Sequence, residues 1–364
     1  MTSRSQPVRS RERDERGNAG VVYAGVRTLR LEPIVPAPPG PGQVRIDVAY
    51  TGICGTDVHV YHGDMDGRVH PPQVIGHEMS GRIAEVGAGV DGWQAGEPVT
   101  VMPLDWCGQC PACQAGHTHL CHRLNFLGID SPGAMQSSWT VPARTLIRLP
   151  GHLPLKDGAL VEPVAVAVHD VRRAELQPGE KALVVGGGPI GLLIAAVARR
   201  EGADLVLIEP DPYRRSLAGQ LGFTACNPAD PSTMAILQEW SGAAGAAVAF
   251  EVSGAAAGVA AAVDALMVRG RLIQVAIHAV PREVNLHRFF WRELTLLGAR
   301  LYHREDFEAA VALIADGQIP ASALITRTEP LAQAEQAFLA LESGAGVMKV
   351  LIDCRAEQEA GVER

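Results

Sequence analysis

The chain has 364 residues, 47% of them apolar and 20% charged, more than one core usually fills, so a globular chain of two domains is expected. No apolar run reaches the eighteen residues of a membrane span, and the composition is neither collagen-like nor disordered. A formal net charge of -8 argues against nucleic acid as a partner, because that affinity begins with counterion release by clustered Lys and Arg.

Residues 1–20 mix both charge signs and lack the continuous apolar stretch of a secretory signal, and their acidic residues argue against a transit peptide. They read as a solvated, poorly ordered extension of a cytoplasmic protein. From Val21 to about Pro150, short β-branched runs broken by Gly and Pro predict strands over QVRIDVAY, SGRIAEVG, EPVTVMP and SSWTVPARTLIRLP. After Glu162 the texture changes. PVAVAVHDVRRAEL has helical spacing, and KALVVGGG, PIGLLIAAVARREG, DLVLIEP, YRRSLAGQLG, AAVAFEVSG, AAAGVAAAVDALMVRG and RLIQVAIH alternate strand with helix. That alternation predicts a doubly wound α/β unit of parallel strands. Two further helices, DFEAAVALIADGQ and PLAQAEQAFLALESG, precede VMKVLIDC, which suits a strand returning to the first domain.

Gly186, Gly188 and Gly191 form a G-x-G-x-x-G between a strand and a helix, and Glu209 ends the next strand. In that context the glycines make a tight turn, admit backbone N–H groups to a pyrophosphate and let helix and strand pack closely. Pro189 and Ile190 fall in the first helical turn, where a missing N–H costs nothing. A carboxylate at Glu209 accepts ribose hydroxyls and repels a 2′-phosphate, so NAD is favoured over NADP. Arg214 either reaches the adenosine or covers its own helix. Ser253, Gly254, Ala276, Ile277 and His278, at the ends of the following strands, are candidate nicotinamide contacts or plain strand termini. Lys349 is a candidate pyrophosphate contact, with a solvated lysine as the alternative.

Seven cysteines are too few and too uneven for a disulfide scaffold. Cys107, Cys110, Cys113 and Cys121 give C-x2-C-x2-C-x7-C, the closed thiolate shell of a structural zinc, with a redox dithiol or an iron-sulfur cluster as alternatives. Cys54, His77, Glu78 and Glu162 are scattered, and their mixed S, N and O donors suit a catalytic zinc with one position open. Each also has a plain structural reading. Glu162 is the most informative: with Pro163 at the first helical position, it stands near an N-cap that Ser, Thr, Asp or Asn usually takes.

From about Val21 to Asp353 this combination resembles the zinc-dependent medium-chain dehydrogenase/reductase family, most diagnostically at Gly76-His77-Glu78 followed by Gly81, Gly87 and Val90. VEPVAVAVHD and HREDFEAAVALIADGQI resemble its polyol and vicinal-diol branch, whereas CGTDVHVY and THLC also resemble threonine 3-dehydrogenases. The resemblance implies a GroES-like, mostly β catalytic domain over 21–167 with a zinc lobe near 105–122, a Rossmann domain over 168–302, and a return over 303–364. It implies two Zn2+ per chain and NAD, and a homodimer or homotetramer; the apolar strand near Arg271 to His278 is either a subunit edge or a buried internal strand. Cys54 and His77 would bind the catalytic zinc, with Glu78 and Glu162 binding directly or through water. Asp57 would accept the other ring N–H of His77.

The implied chemistry is NAD-linked oxidation of a secondary alcohol such as 2,3-butanediol or sorbitol. Zinc acts as Lewis acid, Thr56 is first proton acceptor, and the proton passes through the coenzyme ribose to His59, unless that residue is an ordinary surface histidine. The competing readings are oxidation of an amino alcohol such as threonine and a non-catalytic nucleotide-binding scaffold. Two stretches depart from the family pattern: Gly96-Glu97-Pro98-Val99, and Gly133 to Trp139 (GAMQSSW). The second bears on packing beyond the cysteine lobe and on the shape of the cleft.

Overall fold

The computed structural model describes residues 17–344 and 346–355. The extension expected over 1–20 lies mostly outside them, but Ala19 and Gly20 already belong to β1 (Ala19–Gly25), which pairs in a hairpin with β2 (Thr28–Pro33). Next come β3 (Gln43–Gly52), α1 (Gly55–His62), β4 (Gln73–Val74), β5 (Glu78–Val86) and β6 (Pro98–Val101). A small lobe carries β7 (Leu104–Asp105), α2 (Pro111–Gln114) and β8 (Asn125–Phe126). The chain then re-enters the domain through β9 (Ser138–Pro142), β10 (Leu146–Arg148) and α3 (Leu155–Gly158). All four predicted runs are strands. Alternation decides their faces: Val44, Ile46 and Val48 are buried while Asp47 is exposed. Gly81 is required by this packing, since a Cβ there would lie 2.4 Å from the Asp47 carbonyl oxygen of β3.

The second half opens with α4 (Val161–Arg173), then β11 (Lys181–Val185), α5 (Pro189–Arg200), β12 (Asp204–Ile208), α6 (Pro212–Gln220), β13 (Thr224–Cys226) and α7 (Ser232–Ser241). It continues with β14 (Ala246–Glu251), α8 (Ala256–Ala265), β15 (Leu266–Gln274), α9 (Leu286–Arg292) and β16 (Thr295–Gly298). Its six strands are parallel in the order β13-β12-β11-β14-β15-β16. The order reverses between β11 and β14, the place where a doubly wound sheet opens a crevice for ligands. One expectation needs correction and one alternative is decided. The Ala-rich helix ends at Ala265 rather than Gly270, because Leu266 and then Arg271 to Gln274 pair with β14 and that ladder outweighs local helix propensity. β15 lies between β14 and β16, so the strand near Arg271 is internal and the sheet's edge is β16.

The tail forms α10 (Arg304–Ala315), α11 (Ala321–Leu324), β17 (Ile325–Pro330), α12 (Ala334–Ser343) and β18 (Lys349–Asp353). β18 runs antiparallel to β3, completing a first-domain sheet of order β10-β6-β5-β3-β18-β17 with β9 also on β3. VMKVLIDC therefore does return to the first domain. The change of domain expected at 167/168 falls inside α4, which runs unbroken and packs on both α5 and α10. One continuous apolar core reaches from the first sheet through α4 and α5 to the parallel sheet.

Both departures from the family pattern pack well. Glu97 pairs with Arg148 at 2.5 Å, Met135 is fully buried, and Trp139 Nε1 donates to the Pro132 carbonyl at 2.9 Å.

Candidate active site

β3 ends at Gly52, and two residues later Cys54 caps α1. Its thiolate therefore stands beside the start of β5, which places His77 and Glu78 opposite. One donor atom from each of Cys54, His77 and Glu78 lies within 4.8 Å of the others. Asp57, in the first turn of α1, accepts from the Cys54 N–H at 2.8 Å with one oxygen. Its other oxygen is 3.5 Å from His77 Nδ1. That oxygen and Nδ1 are both buried without a hydrogen-bond partner, so the ring is oriented with Nδ1 toward Asp57 and its other nitrogen toward Cys54. Burial pushes the His77 pKa down, but the charges of Asp57 and Cys54 outweigh it and hold the pKa well above the ordinary value. A soft thiolate, an imidazole and a carboxylate converging in a buried pocket fit a zinc ion.

Glu162 is buried, and desolvation pushes its carboxyl up to about 7, with His77 pulling it back and Glu78 pushing it further. It thus borders the pocket, but its oxygens are outside the three-donor group. Its helical position also differs from expectation. α4 begins at Val161, putting Glu162 within the first turn and Pro163 one residue further in, because Leu160 takes the capping position. Proline is tolerated throughout that turn, where backbone N–H groups have no partner.

Lys349 meets neither expectation: it touches no part of the glycine turn and is not solvated. Buried on β18, its Nζ lies 2.7 Å from both oxygens of Glu78 and donates to the Ile53 carbonyl at 3.2 Å. Glu78 is therefore both a candidate ligand and one half of a buried ion pair. Gly52 accommodates it, since a Cβ there would strike Glu78 Oε2 at 2.1 Å. Thr56, half-buried, and His59, exposed, lie on α1 beyond Cys54, and His59 Nδ1 is 2.9 Å from Asp64.

Cys107, Cys110, Cys113 and Cys121 also bring one donor each within 4.8 Å of one another. Backbone N–H groups of Gln109, His122 and Arg123 point at three of these sulfurs at 3.3–3.4 Å. The bond from Gln109 is the main reason the Cys107 thiol is lowered to about 6. Four converging thiols with N–H donors aimed at them fit a closed zinc shell.

At the crevice of the parallel sheet, α5 starts with Pro189 directly after Gly188. A Cβ at Gly191 would lie 1.9 Å from the Gly186 carbonyl oxygen, and one at Gly186 would lie 2.9 Å from the Ser253 nitrogen. The glycine turn therefore touches the end of β14. Glu209 is buried at the end of β12 and accepts from the N–H groups of Gly187 at 2.6 Å and Asp211 at 2.8 Å, with Arg214 Nη1 at 4.0 Å. Ser253, Gly254, Gln274 and His278 are drawn together by a residue the sequence reading missed. The fully buried Glu251 accepts from the Ser253 and Gly254 N–H groups, from Gln274 Nε2 at 3.2 Å and contacts His278 Nε2 at 3.2 Å. Ala276 joins the group through Gln274, but Ile277 is 77% exposed. A carboxylate inside the apolar run AVAFEV was the available signal. Tyr302, also missed, is fully buried with no hydrogen bond at its hydroxyl, and Glu162 is the charge that bears on it most.

The profile of the alcohol dehydrogenase GroES-like domain matches residues 40–151, and that of the zinc-binding dehydrogenase matches residues 189–316. The chain is 52% identical, over 88% of its length and 94% of the relative's, to 2-dehydro-3-deoxy-L-galactonate 5-dehydrogenase of Pseudoalteromonas atlantica. It is 32% identical to sorbitol dehydrogenase of Halalkalibacterium halodurans, over 86% of this chain and 92% of that one. The crystal structure of 2R,3R-butanediol dehydrogenase from Bacillus subtilis superposes with a TM-score of 0.85 at 32% identity, covering 92% of this chain and 99% of that one. With each half matched by its own profile and half the residues shared with a dehydrogenase along nearly its full length, the chain belongs to the zinc-binding dehydrogenase family.

Proposed function

We propose that the protein oxidises a secondary hydroxyl of a polyol, or of the acid derived from one, and passes the hydride to NAD. The observation that carries this reading is the convergence of Cys54, His77 and Glu78 within 4.8 Å. Those three residues would hold the catalytic zinc, and Cys107, Cys110, Cys113 and Cys121 the structural one. Bound zinc supplies Lewis acidity, which brings the pKa of a coordinated hydroxyl toward neutrality. The chain's own residues do the rest. Asp57 fixes the tautomer of His77. Thr56 Oγ1 would take the hydroxyl proton, and His59 would exchange a proton with solvent at the outer end of α1. With Nδ1 held at Asp64, His59 presents Nε2 to solvent. The buried carboxylate of Glu209 beside the glycine turn supports NAD over NADP, because a carboxylate accepts ribose hydroxyls and repels a 2′-phosphate, and the cation paired with it, Arg214, is 4.0 Å away. Glu251 holds the Ser253 and His278 loops at the nicotinamide side.

The names of the relatives, one a sugar-acid and two polyol or diol dehydrogenases, support this substrate class over threonine. NADH formation with L-galactonate, sorbitol, 2,3-butanediol and L-threonine tests it. Turnover of the first three classes is expected, and turnover of threonine alone would replace the reading.

No helix among the described residues is long and apolar enough to cross a membrane. Thiol-rich metal sites support a reducing, cytoplasmic setting. The chain is read as a homodimer joined through β16. That edge strand leaves a row of unpaired backbone groups beside exposed Leu296, Phe290 and Trp291, and a two-fold copy of itself satisfies both. Leu296→Lys should give a monomer by light scattering.

A further inference from the structure

Two residues before Tyr302 stands Arg300, on the segment that leaves the parallel sheet after β16. Between them Leu301 adopts a left-handed conformation, φ 58°, which an L-residue other than glycine holds only when its surroundings demand it. The bend divides its neighbours. Tyr302 turns inward, its ring 4.7 Å from Phe307 and its hydroxyl toward Glu162, while Arg300 stays exposed. Consecutive Cα atoms are about 3.8 Å apart, so Arg300 is anchored within about 8 Å of the Tyr302 Cα that reaches the metal pocket.

Among the described residues Arg300 makes no ion pair. Its one hydrogen bond runs from Nη1 to the His119 carbonyl at 3.3 Å, leaving most of the guanidinium's five N–H donors unused. The nearby acid is already taken, since Arg68 holds Asp130 in a two-pronged pair at 2.9 and 2.6 Å. Two guanidinium groups thus face one carboxylate, and the patch is a net cation near Tyr302, the residue that borders Glu162. Partial burial and the charge of Arg68 lower the Arg300 pKa, and the shared Asp130 offsets them only in part. No carboxylate among the described residues closes an ion pair with Arg300 itself, so its free donors are open to an anion from outside the chain.

We propose that Arg300, backed by Arg68, is the receptor for a substrate carboxylate, which makes the enzyme selective for sugar acids over neutral polyols. A planar guanidinium with parallel free donors suits a carboxylate several carbons from the reacting hydroxyl, whereas a neutral polyol offers it only single hydroxyl acceptors. The assignment deepens, and rests on, the dehydrogenase reading above.

Arg300→Gln and Arg300→Lys, assayed with L-galactonate and with sorbitol, test it. Arg300→Gln should raise KM for L-galactonate about tenfold to a hundredfold, the worth of a charge-assisted hydrogen bond, with kcat little moved. Its KM for sorbitol should stay within about twofold, and Arg300→Lys should recover part of the loss. Equal effects on both substrates, or none on either, would overturn the assignment while leaving the dehydrogenase intact. Should the wild type turn over neither compound, titration calorimetry of L-galactonate into NADH-loaded protein still decides. Heat seen with the wild type and lost in Arg300→Gln supports the receptor though the dehydrogenase reading fails; identical traces overturn the receptor as well.

Discussion

The cysteine lobe and the catalytic pocket each gather donors within 4.8 Å, but they are assembled in opposite ways. The lobe takes four thiols from fifteen consecutive residues and aims backbone N–H groups at them, so the ion and the loop specify each other. The pocket takes its thiol from the cap of α1 and its other donors from Glu78, the first residue of β5, and from His77 just before it, and it borders on α4 and β18. Its geometry is set by the completed sheet. A structural ion should therefore contribute stability and the pocket's ion should contribute rate.

The widest separation comes from paired substitutions. Cys54→Ser should lower kcat by about a thousandfold, on the order of several kcal/mol of Lewis-acid stabilisation, while the melting temperature and NAD binding barely change. Cys107→Ser should do the reverse, lowering the melting temperature by many degrees with the kcat of the folded fraction within a few-fold of wild type. Calorimetry beside NADH formation reads both, and the same response from the two variants would erase the distinction.

The pair Glu78–Lys349 sharpens the contrast, because it joins the pocket to the last strand. Lys349→Met strands a buried carboxylate, which typically costs about 3–5 kcal/mol. A bound zinc would offset part of that loss by giving Glu78 another positive partner. The drop in melting temperature should thus be larger after chelation than in zinc-loaded protein. An equal drop would mean that Glu78 does not face the ion.

At the coenzyme end, Glu209→Ala removes both the ribose acceptor and the repulsion of a 2′-phosphate. KM for NAD should rise about tenfold, as expected for a lost hydrogen bond to a charged group, and NADP should become a usable substrate. A variant that still refuses NADP would place the discrimination elsewhere.

How much of this was written in the sequence follows the same division. The cysteine lobe and the glycine turn were legible because each is a local spacing with a local job, and the alternation of strand and helix pointed to a parallel sheet. Cys54, His77 and Glu78 were legible only through the motifs around them. What escaped depends on pairing in three dimensions. Lys349 read as a pyrophosphate contact or a solvated lysine until β18 placed it against Glu78, and Glu251 drew no notice until β15 and the loop after it brought Gln274 and His278 to it. Leu266 to Gly270 continued a helical composition, yet pairing of Leu266 and of Arg271 to Gln274 with β14 drew the segment out of the helix. Pro163 suggested a helix start two residues too late, because the first turn tolerates proline at more than one position.

The smallest expected effect lies on the seam between the two halves. Asp170 on α4 is 1% exposed, and one of its oxygens is buried without a partner. Burial, reinforced by the charge of Asp306 on α10, raises its pKa well above the ordinary carboxylate value. One oxygen of Asp306 is shared by Arg172 at 2.9 Å, His169 at 3.1 Å and the His303 N–H at 2.7 Å. The sign follows from linkage: the folded state holds a proton that the unfolded state releases. The stability Asp170 contributes is therefore whole below its unfolded pKa and falls as pH rises toward the folded one. Asp170→Asn mimics the protonated form at every pH. Its melting temperature should match the wild type near pH 4 and exceed it by a few degrees at pH 8, about what a modest stability gain yields in a chain of this size. A gain independent of pH would mean that the substitution acts through packing between α4 and α10 and that the proton plays no part.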